Sequence, residues 1–314
     1  MQPAEAGSTP VHPEVVFIAG WGRSGSTLLE RMLAEVDGFT TVGELFQLWG
    51  DVAQRTCSCG DRLEECAWWK AVLHQAFGNG WRSTVEDVGA LRRRAVRHRY
   101  VAGLLGYRPL AAGVSRDIDR YRDAVCAVHR AAAEVDAADV VVDASKSPID
   151  LLVLASGESR LRAVHLTRDP RGVAASWKRE RPRHGHDGGV GRMMQYSAAR
   201  SAVEWTLRNA LVDLTVRRYR VDSVSLGYHQ MVSYPERSLR RVLAVVARHD
   251  TPLDFVHGTK VELRGRHALG GNPGRTTVGT IELEPDDGWR RELGRGEQLA
   301  VTVLSAPTSW RYPK

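Results

Sequence analysis

One stretch of the sequence, VVFIAGWGRSGSTLLERM at residues 15–32, constrains the fold more than any other. It opens with an apolar run, which is typical of a central parallel strand buried on both faces. A glycine-rich turn follows, and apolar residues then recur with helical spacing from Leu28 to Val36. A buried strand, a glycine-rich turn and a helix in this order predict an α/β fold that begins with a P-loop-like turn.

The same order of elements recurs in the middle of the chain. VVVDASKSP at 140–148 and LRAVHLTRDP at 161–170 each contain an apolar run, polar residues and a proline that can occupy the first helical position. Residues 222–226 are a weaker strand candidate. Each polar cluster lies at the carboxyl edge of a strand, where open α/β sheets bind ligands. We predict a P-loop-like three-layer α/β fold in which helices flank a central parallel sheet.

The chain of 314 residues is long enough for one large α/β domain or two small ones. We predict a flexible tail at 1–13 and a single domain at 14–314, with a helical insertion at about 45–137. Long helices are predicted at roughly 86–106, 117–137 and 191–219.

Two segments lack apolar periodicity. Residues 179–191, RERPRHGHDGGVG, predict a mobile loop that could act as a lid over a site. Residues 258–288 are rich in Gly, Arg and Thr and predict a long ordered loop before a terminal helix that starts near Asp286.

The net charge and its distribution limit the kinds of partner that the protein can bind. A net charge of +7 and an isoelectric point near 9.5 suit an anionic partner, although an arginine-rich proteome gives the same balance. The basic run LRRRAVRHR at 91–99 lacks interleaved aromatic residues, which favours a solvated helix face over a nucleic-acid contact. The N-terminus lacks the apolar region of a signal peptide, and no apolar run approaches the roughly 18 residues of a membrane span. We predict a cytoplasmic protein with no transmembrane segment and no nucleic-acid partner.

Three cysteines, Cys57, Cys59 and Cys66, lie within ten residues of one another. Such a group could hold zinc, but its spacing matches no common zinc finger, and the remaining cysteine, Cys126, is far away in the sequence. A cytoplasmic location argues against structural disulfides. We therefore predict no metal site.

The glycine-rich turn resembles a P-loop that lacks its lysine. Gly20 and Gly25 keep the P-loop spacing, but Ser26 stands where the lysine belongs and Thr27 follows. Main-chain N–H groups of the turn, at a helix N-terminus, form a cradle for an oxyanion. Hydroxyl groups cannot neutralise the β and γ phosphates of ATP, so we predict a ligand with fewer phosphates here and no metal. Arg23 is the cation that remains in the turn.

A second anion site is predicted at Arg168 and Ser176. The arginine ends a predicted strand and the serine lies on the next helix, so the two side chains can bind a phosphate from two sides. The alternative is an ordinary ion pair of Arg168 with Asp169 or Asp143. Two phosphate sites at two strand edges indicate a nucleotide that is phosphorylated at two separate places.

GRSGSTLL after a strand, together with TRDPRGVAAS, resembles the sulfotransferase superfamily that uses 3′-phosphoadenosine 5′-phosphosulfate (PAPS). The resemblance spans residues 14–250 and is to bacterial members related to the tyrosylprotein and carbohydrate sulfotransferases. In this family the first motif binds the 5′-phosphosulfate and the second binds the 3′-phosphate, so the implied product is 3′,5′-ADP. The implied nucleotide-binding residues are Arg23, Ser24, Gly25, Ser26, Thr27, Arg168, Ser176, Tyr228, Asn272 and Arg275.

The resemblance also implies the catalytic residues. Glu44 in TVGELFQLW is the implied base for the acceptor hydroxyl, and Lys146 in DASKSP, with Arg23, is implied to stabilise the departing phosphate. The cytosolic enzymes place a histidine as the base where Lys146 stands, which this chain lacks. Tyr228 matches a tyrosine of the family, but His229 replaces the glutamate that follows it.

The stretch HALGGNPGR at 267–275 resembles a glycine-rich segment that covers the nucleotide in related enzymes. His267, Asn272 and Arg275 are its candidate contacts.

The implied acceptor is a hydroxyl or amine of a small molecule, glycan or lipid. Two alternatives remain open: a small-molecule kinase or other P-loop NTPase with a degenerate loop and Asp143 as metal ligand, and a basic nucleic-acid-binding protein that uses residues 91–99. The sequence determines neither the acceptor nor the oligomeric state.

Overall fold

The computed structural model describes residues 12–49, 52, 55–157, 160–179, 182–184, 190–192 and 195–312. In chain order the strands of this part are β1 (Glu14–Ala19), β2 (Phe39–Gly43), β3 (Val140–Lys146), β4 (Leu161–Thr167), β5 (Pro182–His184), β6 (Val190–Arg192), β7 (Asp222–Gly227), β8 (Val256–His257), β9 (Lys260–Leu263) and β10 (Gly279–Glu282).

The α-helices of the same residues are α1 (Ser26–Ala34), α2 (Ala67–Phe77), α3 (Trp81–Ala95), α4 (Val101–Leu104), α5 (Ala112–Asp136), α6 (Pro148–Ala155), α7 (Pro170–Lys178), α8 (Ala198–Tyr219), α9 (Tyr228–Ser233), α10 (Pro235–Val245), α11 (Trp289–Glu292) and α12 (Arg295–Ser309).

The centre of the molecule is a parallel five-stranded sheet with the strand order β2-β3-β1-β4-β7. Alternate residues of β1 point to opposite faces, as the two-residue period of a strand requires. Val15 and Phe17 join a core cluster with α2, α3, α5, α6 and α8. Val16 and Ile18 join a second cluster with α1, α10 and β9. Helices therefore cover both faces of the sheet, which confirms the predicted three-layer α/β fold.

The region between β2 and β3 is helical. Helices α2 and α3 both pack on α5, and the indole rings of Trp69 and Trp81 are fully buried among them. The predicted helix at 86–106 is divided, since α3 ends at Ala95 and α4 begins at Val101. Helix α8 begins at Ala198 rather than near 191, because the Ser197 hydroxyl oxygen accepts a bond from the main-chain N–H of Arg200 and caps the helix there.

The prediction of a long ordered loop over 258–288 is wrong in part, because this range contains the strands β9 and β10. Strands β8, β9 and β10 form an antiparallel sheet in which Val261 and Leu263 are buried and Lys260 and Glu262 are exposed. This alternation packs β9 against α1. The terminal helical region begins at Trp289, close to the predicted position.

The predicted tail lies almost entirely outside the described residues. Much of the predicted lid at 179–191 also lies outside the described residues. Within and just after it, 182–184 and 190–192 pair as the antiparallel strands β5 and β6. Among the described residues, no helix combines the length and the apolarity needed to cross a bilayer.

Candidate active site

The turn between β1 and α1 requires glycine at two positions. Gly20 has φ +138°, and a Cβ atom there would lie 2.3 Å from the main-chain oxygen of Leu166 in β4. Gly25 has φ +91°, and a Cβ atom there would lie 2.7 Å from Cδ2 of Tyr228. Helix α1 begins at Ser26, and the bonds of its first turn run from the N–H groups of Leu28 and Leu29 to the Gly25 oxygen, so the N–H groups of Ser26 and Thr27 precede the intrahelical bonds. The turn therefore offers main-chain donors together with the positive end of the helix dipole.

A cavity of about 350 Å³ lies beside this turn and extends to the residues that follow β4. This volume is in the range of cofactor and small-molecule sites. The two motifs share the cavity because β1 and β4 are neighbours in the sheet, so the turns that follow them lie side by side. The predicted residues that line it are Arg23, Gly25, Thr27, Arg168, Ser176, Tyr228 and Asn272.

Arg168 has a fixed orientation in the wall of the cavity. Its side chain is 9% exposed, and its Nη1 and Nη2 atoms donate to the main-chain oxygens of Arg23 at 3.3 Å and Asp286 at 2.8 Å. The guanidinium group also lies 4.3 Å from the centre of the Tyr228 ring. Hydrogen bonds from Arg179 and Arg168 hold the pKa of the Asp286 carboxyl well below its usual value, so this group is ionised. Arg168 is thus oriented before any ligand binds.

Arg168 forms neither of the ion pairs that the sequence allowed, with Asp169 or with Asp143; its carboxylate partner is Asp286, whose Oδ2 lies 3.1 Å from Nη2 of Arg168. Asp169 pairs instead with Arg171 at 2.6 Å, and Asp143 lies 3.0 Å from His129. The side chains of Asp143 and His129 are each 2% exposed. The carboxylate that a kinase would need as a metal ligand is therefore engaged in the core.

Ser24 and Ser26 are buried in the turn, and neither lines the cavity. The hydroxyl of Ser24 donates to the main-chain oxygen of Trp21 at 2.8 Å, which shapes the turn. These serines can contribute their main-chain N–H groups to an anion, but their side chains lie outside the cavity wall.

Residues 267–277, here called the covering segment, pass across the turn. The Asn272 side-chain oxygen accepts a bond from Nη1 of Arg23 at 2.6 Å, and its main-chain N–H donates to Oγ1 of Thr27 at 3.2 Å. Arg275 donates to the main-chain oxygen of Gly270 at 2.9 Å and does not line the cavity. The covering segment is therefore bonded to the glycine-rich turn through Asn272.

Glu44 follows β2, Lys146 is the last residue of the adjacent strand β3, and the two form an ion pair through Oε1 and Nζ. Gln47 donates to Oε2 of Glu44 at 2.6 Å, so both carboxylate oxygens have partners. Lys146 has φ +62°, a conformation that non-glycine residues adopt rarely and often at functional sites. Neither residue lines the cavity. The covering segment adjoins the pair, since a Cβ atom on Gly270 would lie 2.9 Å from the Cβ of Glu44.

Sequence reasoning missed Glu30, a buried carboxyl group close enough to Glu44 and Lys146 to feel their charges. Glu30 lies on α1, is 3% exposed, and accepts a hydrogen bond from Oγ1 of Thr41 at 2.8 Å. Burial raises its pKa to about 7, and the nearby carboxylates of Glu44 and Asp143 act in the same direction. No spacing signal marks this residue, because a glutamate in a helix is usually exposed.

Replacing Glu30 with glutamine should stabilise the protein at alkaline pH. The pKa rises from 4.5 to about 7 on folding, so the folded protein binds more protons than the unfolded chain between these values. Its stability therefore falls as pH rises through this window, and glutamine, which stays neutral, removes the loss. We expect the free energy of unfolding of Glu30→Gln to be about 1 to 3 kcal/mol higher than that of the wild type at pH 8, and close to that of the wild type at pH 5.

Denaturant unfolding at both pH values measures this difference. Glu86→Gln, on an exposed position of α3, is the control and should show no such trend. An equal effect of Glu30→Gln at both pH values would contradict the account.

These features define the class of the protein: an α/β fold with a P-loop-like, glycine-rich turn that lacks lysine and with a basic residue, Arg168, after the neighbouring strand. The model of the Sulfotransferase family matches residues 13–249. The chain belongs to this family, and it is an enzyme that acts as a sulfotransferase.

Solved structures with this fold include the sulfotransferase domain from the curacin biosynthetic pathway, at a TM-score of 0.52 and 16% identity over 96% of this chain and 99% of that one. The sulfotransferase domain of the Synechococcus PCC 7002 olefin synthase aligns over both complete chains at 19% identity and a TM-score of 0.45. Sulfotransferase STF9 from Mycobacterium avium aligns over 76% of this chain and 64% of that one, at 13% identity and a TM-score of 0.42. At 16% identity, the similarity to the curacin domain supports the fold of the chain and nothing further. None of the curated proteins matches the chain.

Proposed function

We propose that this sulfotransferase takes its sulfuryl group from PAPS, transfers it in line to a hydroxyl or amine of an acceptor, and releases 3′,5′-ADP. The observation that carries the proposal is that the lysine-free turn and Arg168 line one cavity. A nucleotide with phosphates on both the 5′ and the 3′ positions would meet an anion site at each end.

The nucleotide is bound by both motifs. Main-chain N–H groups from Arg23 to Thr27 bind the 5′-phosphosulfate at the N-terminus of α1. Arg168 and Ser176 bind the 3′-phosphate, and the fixed orientation of the guanidinium group lowers the entropy lost on binding. Asn272 holds the covering segment over the turn.

In the chemical step, a lone pair of the acceptor oxygen forms the new S–O bond while the bond from sulfur to the bridging oxygen breaks. Glu44 takes the proton of the acceptor hydroxyl, and the electron pair of the broken bond passes to the 5′-phosphate of 3′,5′-ADP. Lys146 and Arg23 stabilise the negative charge that develops there. Glycine at 270 and 271 keeps Cβ atoms out of the space between Thr27 and Glu44, where a Cβ atom at 271 would lie 3.2 Å from Thr27.

The two alternative functions have less support. A kinase would need a lysine in the turn and an available acidic metal ligand, and Asp143 is engaged with His129. In the basic run at 91–99, Arg92 points inward and bonds Asp150 at 2.7 Å, so this helix does not present a continuous basic face. The cytoplasmic location stays a prediction.

The acceptor class, a small molecule, glycan or lipid, can be found by mass spectrometry. A cell extract is incubated with the enzyme and PAPS that carries a heavy sulfur isotope. We expect a product that is heavier by one labelled sulfuryl group and that needs both the enzyme and PAPS. Labelled sulfur that appears only as free sulfate, with no enzyme-dependent product and no binding of 3′,5′-ADP, would contradict the proposal.

A further inference from the structure

Three cysteines and a histidine converge on one point next to the covering segment. Cys57, Cys59 and Cys66 come from one loop before α2, and His267 comes from the start of the covering segment, 201 positions beyond Cys66. Their three Sγ atoms and one ring nitrogen all lie within 4.8 Å of one another. Cys126, which the sequence offered as the fourth cysteine, is not a member of this cluster.

The distances within the cluster are those of the edges of a small tetrahedron. Sγ of Cys59 lies 3.8 Å from Sγ of Cys66, and Nδ1 of His267 lies 3.3 Å from Sγ of Cys66 and 3.5 Å from Sγ of Cys57. Zinc bonds of about 2.3 Å to sulfur and about 2.0 Å to nitrogen, at tetrahedral angles, place two sulfurs about 3.8 Å apart and a sulfur about 3.5 Å from a nitrogen. An ion at the centre would therefore reach all of these atoms with little rearrangement.

We propose that Cys57, Cys59, Cys66 and Nδ1 of His267 bind one zinc ion in a closed, structural Cys3His site. Three thiolates and an imidazole are a soft ligand set that selects zinc over the hard cations magnesium and calcium. With all four positions supplied by the protein, none is left for a substrate, so the ion has a structural role.

The surrounding contacts orient the ligands as a metal site requires. The cysteine loop turns tightly, because the main-chain N–H of Gly60 bonds the oxygen of Cys57 at 3.1 Å and the N–H of Cys57 bonds the oxygen of Asp61 at 2.9 Å. The His267 ring is stacked on Trp68, with 5.7 Å between ring centres and 5° between planes, which fixes the direction of Nδ1.

The site would join two segments that are distant in the sequence. The main-chain N–H of Ser58 bonds the oxygen of Ala268 at 3.0 Å, so the two segments already run side by side. Leu269, next along, accepts a bond from the main-chain N–H of Glu44 at 2.7 Å, and Asn272 bonds Arg23. Zinc would thus fix the start of the covering segment, and the residues that follow directly contact the proposed base and the proposed nucleotide turn.

The competing explanation is a disulfide between Cys59 and Cys66, whose sulfur atoms are close but not bonded. A disulfide consumes two of the ligands and leaves no metal site. Metal content and thiol count therefore distinguish the two explanations.

The experiment measures zinc in the full-length protein after removal of any histidine tag and without chelators. We expect about one zinc per chain by plasma mass spectrometry, and cobalt(II) substitution should give the intense visible bands of a tetrahedral thiolate site. Cys59→Ser, at an exposed position, and His267→Ala should lose most of the zinc, whereas Cys126→Ser should retain it. The cobalt spectrum needs no variant, so it decides the question even if a variant fails to fold.

Three results would overturn the proposal. The first is a wild-type protein that neither contains nor takes up zinc, and the second is a zinc content that is unchanged in both ligand variants. The third is a count, under denaturing conditions, of two free thiols instead of the four that the free cysteines of the chain provide. Zinc content is independent of the nucleotide, so this test can fail while the proposed function stands, and the reverse also holds. We also expect the zinc-free protein to bind 3′,5′-ADP more weakly. This expectation, unlike the zinc content, depends on the proposed function.

Discussion

Glu44→Gln should lower kcat for sulfuryl transfer by about 10²- to 10⁴-fold while the affinity for 3′,5′-ADP stays close to that of wild type. Glutamine has nearly the same shape but cannot take the proton of the acceptor hydroxyl. It keeps an oxygen for the bond from Gln47 or for Lys146, so the local packing should survive. Initial rates with saturating PAPS and calorimetric titration of 3′,5′-ADP separate the chemical step from nucleotide binding.

Glu64→Gln is the matched control for this change. Glu64 pairs with Arg62 at 2.8 Å in a partly exposed position, and its replacement should leave kcat nearly unchanged. A Glu44→Gln enzyme with wild-type kcat would show that Glu44 is not the base. A large loss of nucleotide affinity would instead indicate that Glu44 supports the binding site.

Arg168→Gln should weaken binding of 3′,5′-ADP by about 100-fold or more. The guanidinium group can form two charge-assisted bonds to the 3′-phosphate, each with a contribution of about 1.5 to 3 kcal/mol. Binding of 5′-AMP, which lacks this phosphate, should change much less. The variant should therefore lose the preference for the 3′-phosphorylated nucleotide, which titrations of both ligands measure.

The control for Arg168 is Arg171→Gln. Arg171 lies three residues after Arg168, in the first turn of α7, and pairs with Asp169. Its guanidinium group packs 4.0 Å from the centre of the Trp289 ring, and it does not line the cavity. The Arg171→Gln variant should keep the preference for 3′,5′-ADP over 5′-AMP. Equal weakening of both nucleotides in Arg168→Gln would mean that the 3′-phosphate is not bound by Arg168.

The sequence predicts the central strands because their burial leaves a strong local pattern. Strands β1, β3 and β4 are apolar runs that end at glycine or polar residues, and the structure confirms all three. Strand β2 was not predicted, since FTTVG contains two threonines. In the structure both side chains are buried, and their hydroxyl groups donate hydrogen bonds to carboxylates, Thr40 to Asp136 and Thr41 to Glu30. A strand whose polar side chains find distant partners carries no apolar signal.

The same distinction holds for the site. The turn at Gly20 to Thr27 and Arg168 could be predicted because each motif lies next to its own strand. The partner of Arg168 could not be predicted from the sequence, because Asp286 is 118 positions away. His267 was assigned to the nucleotide cover from its neighbours in the sequence, whereas the structure places it against the cysteine loop. Contacts between remote segments follow from the topology, which no spacing of residues reveals.

The most direct test of the central claim is isothermal titration calorimetry of the purified enzyme in buffer without magnesium. If one cavity binds both phosphates, 3′,5′-ADP should bind saturably, 5′-AMP should bind about 100-fold more weakly, and magnesium should not improve the binding of ATP. An enzyme that binds ATP only with magnesium, and binds 3′,5′-ADP no better than 5′-AMP, would contradict the account.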